Sequence, residues 1–206
     1  MPLKSKLFSA GNSANSLRKT TKRKINPEFI TAIRAAKMIR ECAAWMRPDR
    51  GRFHRLAKFV LHQVIHRDSS HQRGERQILP EHLQVFEGYE FERDILVSDY
   101  LKGDMILRIM DRVSVTIPAP VFIPLADSSY CKIMLLGVGV SVDTFTNTCV
   151  HTDITPWIAL NDQALMPVSL EIPNDRSLLI AIGIAYANNT DMPVICQAVR
   201  IITVTR

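Results

Sequence analysis

The ten residues LLIAIGIAYA, 178–187, decide how the rest of the chain is read. They are apolar throughout, yet well short of the roughly 18 unbroken apolar residues that a membrane span needs. The run therefore reads as a buried β-strand. It leads into ANNTDMP (187–193), whose Asn and Asp suit a hairpin loop, and then into a second strand at 194–205.

Working outward, the spacing predicts further strands at 94–101, 105–117, 130–142, 145–152 and 166–172. LKGD (101–104) reads as a hairpin turn. VGVSVDT (138–144) alternates strictly, as a half-buried strand does. About seven short strands with turn signals between them suggest a β-sandwich or Greek key. The two glycines of GVGV (137–140) fit neither a dinucleotide fingerprint nor a phosphate loop, and read as a bulge or a close approach.

Upstream the period changes to that of helices. Asn26 is a cap and Pro27 suits the first helical position, with apolar Phe29, Ile30, Ile33, Ala36 and Met38 around a polar strip at Arg34, Lys37 and Glu41. This helix is expected to run to Met46, before Pro48. A second follows a cap at Asp49, with Phe53, Leu56, Ala57, Val60, Leu61 and Val64 on one stripe and Arg55, Lys58 and His62 opposite. The segment 77–91 reads as a short helix at 80–86 followed by a strand. The expected fold is α+β: a flexible basic segment over 1–25, a helical hairpin over 26–76, a connecting segment over 77–94, and an antiparallel, Greek-key-like β-sandwich over 95–206.

Charge follows the same division. Residues 1–76 carry 18 Lys and Arg against 5 Asp and Glu, whereas residues 77–206 carry 8 against 15. Such a split suits one surface docking on another, within a molecule or between copies. It also makes nucleic acid a candidate partner, through Arg18, Lys19, Lys22, Arg23 and Lys24 with Arg50, Arg52 and Arg55.

Catalytic patterns are missing. The chain has no GxSxG, SxxK or GK[ST] motif. The four cysteines, Cys42, Cys131, Cys149 and Cys196, form no CxxC, and the last three stand in apolar runs where a thiol packs as a small hydrophobe. His62 and His66 stand at i and i+4, the spacing of a metal pair on a helix, but lack the glutamate of HExxH. Glu90, Glu92 and Asp94 share one face of an extended segment, which suits an acidic edge strand. The expectation is no catalytic residue, no cofactor and no metal. Arg73 and Arg76 in QRGERQIL (72–79) are expected to hold the junction between the helices and the β part. The absence of a signal peptide in the first 25 residues and the unpaired cysteines suit the cytoplasm.

Several segments together resemble a family: NPEFITAIRAAKMIRECAAWMRP (26–48), RLAKFVLHQVIHRD (55–68), QRGERQIL, FEGYEF (86–91), TIPAPVFIP (116–124) and VDTFT (142–146). In their order and spacing they resemble an uncharacterised family of roughly 200-residue proteins, found in many paralogous copies in Bacteroidetes. The resemblance covers Asn26 to Arg206. It implies a helical hairpin plus β-sandwich and a bacterial origin, with no catalytic residues to carry over. Family members keep the Arg and Gly of QRGERQIL but not histidines at 62, 66 and 71, and they open with a Gly-rich strand pair that the polar residues 1–25 do not match. The function expected is that of a non-enzymatic structural or interaction protein, self-association included. The alternatives are nucleic-acid binding by the basic half and carbohydrate or cell-surface binding by the sandwich, with Trp157 and Tyr186 as platforms.

Overall fold

The computed structural model describes residues 26–161, 167–175 and 178–205. The basic segment, with Arg18, Lys19, Lys22, Arg23 and Lys24, lies outside the described residues. The class is α+β.

Helix α1 spans Pro27–Ile39, and the Asn26 side chain accepts from the Glu28 N–H at 3.0 Å, as an N-cap does. The α-helix stops seven residues short of Met46. It tightens into a 3-10 turn at Arg40–Ala43, because Trp45 and Met46 are drawn onto a strand: the Cys196 N–H donates to the Trp45 carbonyl at 2.8 Å. Phe29 and Ile30 are exposed, and the buried stripe is carried by Ala32, Ala35, Ala36, Ile39 and Cys42. Helix α2 spans Arg50–Phe59, capped by Asp49, which accepts from the Gly51 and Arg52 N–H groups. It widens into a π turn at Val60–Val64 and closes with a 3-10 turn at Ile65–Arg67. The extra residue lets both Val64 and Ile65 reach the core. A 3-10 helix, Pro80–Phe86, stands where a short helix is predicted.

Segment 94–101 is not a strand. It holds a short helix, α3 (Val97–Tyr100), before β1 (Leu101–Lys102). The other strands are β2 (Ile106–Ile109), β3 (Arg112–Ile117), β4 (Val121–Phe122), β5 (Tyr130–Ser141), β6 (Thr146–Ile154), β7 (Ile158–Ala159), β8 (Val168–Pro173), β9 (Leu178–Ala187) and β10 (Cys196–Val204). LKGD makes no hairpin, because β1 pairs with β4 whereas β2 pairs with β3. The predicted strand 105–117 is that β2–β3 pair, folded back at Met110 and Asp111.

The central sheet has the order β10-β9-β5-β6, with β7 also on β5; an outer sheet has the order β2-β3-β8. One face of the central sheet, with Met134, Leu136, Leu179 and Ile201, shares a core with Ile39, Leu56, Val60 and Phe86 of the helical layer. The opposite face, with Ile133, Leu135, Ile180 and Ile182, packs on Val113, Val115, Leu170 and Ile172 of the outer sheet. The molecule thus has three layers, and its middle strands have no solvent side. That is why LLIAIGIAYA shows no alternation: all ten of its residues are buried. It also corrects the reading of VGVSVDT. Val138, Gly139 and Val140 are all buried, and the strand ends at Ser141. The alternation there records close packing. A Cβ on Gly137 would lie 2.6 Å from Cδ1 of Ile172, and one on Gly139 would strike Thr148 and Cys149.

Residues 88–91 extend the central sheet irregularly beyond β10. The N–H groups of Gly88 and Phe91 donate to Ile201 and Val199, and the Ile201 N–H donates to Tyr89.

Candidate functional site

At the predicted junction Arg76 lies beside a buried carboxylate, and backbone N–H groups share the contacts. Glu28 is buried in the first turn of α1 and accepts the Gly74 N–H at 2.6 Å. That bond holds its carboxyl below the usual range, aided by the charge of Arg76, and His66 stands 3.5 Å away. Arg76 therefore faces α1, and its buried Nε has no hydrogen-bond partner among the described residues. Arg73 is exposed and makes no ion pair among them. Beside them Asp68, also buried, accepts from the Ser70 N–H and hydroxyl, from His71 at 2.7 Å and from the Gln77 N–H at 2.9 Å. Led by the Ser70 hydroxyl, these bonds hold its carboxyl far below the ordinary value. His62 and His66 stack edge to face at 5.1 Å, and His71 is turned away to Asp68. The three histidines do not converge.

Two of the arginines of α2 are spoken for as well. Arg52 donates to Glu92 and to the Arg47 carbonyl, and Arg55 donates to Glu92 at 3.2 Å and to the Phe91 carbonyl at 3.1 Å. Arg55 is thus half-buried rather than on a solvated face, and Glu92 is a clamp rather than part of an acidic edge. Arg50 stays exposed, on the rim of a cleft of about 720 Å³ floored by Met46, Phe53 and Phe91. The two aromatic platforms are also occupied. The Trp157 ring lies under the Lys132 ammonium at 4.6 Å, and Tyr186 is buried with its hydroxyl donating to the Ile123 carbonyl at 2.7 Å.

What remains lies at the two edges of the sandwich. At one, β6 meets the end of β8. The register of β5 and β6 slips between Val138 and Val140, placing Thr148 and Cys149 opposite Gly139. From there Cys149, His151 and Asp153 alternate onto one face. Asp153 accepts the Glu171 N–H at 2.7 Å, and His151 bonds the carboxylate of Asp175, just beyond β8. Burial pushes the thiols of Cys42, Cys131 and Cys196 up to about 12. Cys149 packs against the core between the sheets, as read from sequence, but is only half-buried and stands beside these polar groups. A period of two could have paired Cys149 with His151; no sequence signal adds Asp175.

At the other edge, β2 pairs with β3 and with no other strand among the described residues. Leu107 and Ile109 pair with the core residues Val115 and Val113 and so share their face. Yet Ile109 is 44% exposed, and Met105, Ile106 and Met110 are exposed around it. β2 overhangs the layer beneath it.

No helix of the described residues is long and apolar enough to cross a membrane. No family model, no curated protein and no solved structure matches this chain.

Proposed function

We propose that this is a non-enzymatic interaction protein that self-associates through β2. The observation behind the reading is the overhang: Ile109, on the core-facing side, is left exposed beside a strand edge unpaired among the described residues. Such edges attract strands, and exposed apolar patches on globular proteins mark contact surfaces. A second copy suits the edge by charge. If the strand were extended by the two residues before it, an antiparallel copy with Ile106 opposite its own copy would bring Asp104 across from Arg108 of the second copy, and the two-fold axis would repeat the pair. A register centred on Arg108 would set two guanidiniums face to face. The charge split between the halves is used inside the chain, in pairs such as Arg55 with Glu92.

Light scattering behind size exclusion, over a wide concentration range and at low and high salt, tests this. A dimer that persists in salt and dissociates on I109K supports it. A monomer under every condition overturns it.

A further inference from the structure

We infer that Cys149, His151 and Asp175 form a binding site for a divalent transition-metal ion of the zinc class. The Cys149 sulfur, a ring nitrogen of His151 and a carboxylate oxygen of Asp175 all lie within 4.8 Å of one another. Metal–ligand bonds of about 2.0–2.3 Å place tetrahedral ligands roughly 3.5 Å apart. Small side-chain rotations therefore close this triangle around an ion. Thiolate, imidazole and carboxylate are a mixed soft and hard set, suited to zinc and its neighbours rather than to calcium or magnesium.

The scaffold accounts for the convergence. The bulge opposite Gly139 turns Cys149 onto the face that His151 occupies two residues on. Gly137 is the register partner of His151, and its missing Cβ admits Ile172 of β8. Asp175 follows three residues later and arrives over His151. Each glycine of GVGV thus positions one part of the site. Cys149 and His151 are half-buried and Asp175 is exposed, so an ion can enter, and a fourth coordination position would face solvent.

The arrangement is a triangle, not a relay. In a nucleophilic triad the imidazole stands between thiol and carboxylate. Here all three groups lie within 4.8 Å of one another, and the bond from His151 lowers the pKa of Asp175. On binding, the Cys149 thiol gives its proton to solvent and His151 coordinates as neutral imidazole, so affinity falls in acid. The site is independent of the β2 edge, and neither proposal needs the other.

The test is titration of the chelator-treated full chain with Zn2+ by calorimetry, and with Co2+ by absorption. One ion per chain is expected, with a thiolate-to-cobalt charge-transfer band and a raised Tm. C149S and H151A should each weaken Zn2+ binding by a factor of about ten or more. D175N alters only an exposed side chain and serves if either of those fails to fold. H62A/H66A should bind as the unaltered chain does. Absence of the charge-transfer band, or binding indifferent to C149S and D175N, overturns the site.

Discussion

The two edges of the sandwich solve one problem in opposite ways. An edge strand exposes unpaired backbone groups, and a protein must hide or use them. At β6 a bulge, a row of polar side chains and the end of β8 close the opening between the sheets, through Asp153 with Glu171 and His151 with Asp175. At β2 the Asn174 side chain bonds the Met110 carbonyl, yet Ile109 and Met110 stand in water. The first edge is closed within the chain; the second is left open among the described residues.

Substitutions can separate the two cases. The largest effect is expected from Gly139→Val, because any side chain there drives into Thr148 and Cys149 and dislodges the bulge. Overpacking of this kind costs about 1–3 kcal/mol, read by denaturant unfolding. A cost near zero would mean that β6 is not held by the bulge. Asp153→Ala removes the acceptor of the Glu171 N–H and should cost about 1 kcal/mol, the net value of an ordinary hydrogen bond. Ile109→Lys at the opposite edge should change unfolding by about 0.5 kcal/mol or less, as exposed substitutions do, while abolishing the dimer. A large loss of stability there would show β2 to be part of the fold's own core.

Acid provides the smallest and most selective probe. The carboxyl of Asp175 is held low, first by His151 and then by Cys149; Glu28 is held low, first by the Gly74 N–H. A depressed folded pKa gives stability that is full above the unfolded value, at about pH 5 and higher, and is lost as pH falls through the folded value. Glu90 is shifted upward by burial, so it acts in the opposite sense and favours the fold as it becomes protonated. Unfolding followed from pH 6 to 2 should therefore weaken H151A less steeply than the unaltered chain. Identical slopes would mean that the His151–Asp175 pair adds no stability.

Much of this was legible in the sequence. The caps at Asn26 and Asp49 act over two or three residues and stand where they were read. The strands at 130–142 and 178–187 were plain because an apolar run of that length has few other uses. What failed depended on distance along the chain. Arg55 lay opposite the apolar stripe and looked solvated, because its partner Glu92 is 37 residues away. Cys149 packs on the core as its strand-forming neighbours suggest, but only the register with Gly139 shows that it also turns toward His151. VGVSVDT looked half-exposed because glycine and valine alternate there, although the glycines face packed atoms rather than water.

The backbone bonds that residues 88–91 make to β10 bear on stoichiometry. They occupy that margin of the central sheet, and the bulged, polar β6 guards the other. Were two copies to pair through β2 as proposed, a two-fold axis would use that margin on both. The proposed assembly would then close as a pair rather than extend as a fibre.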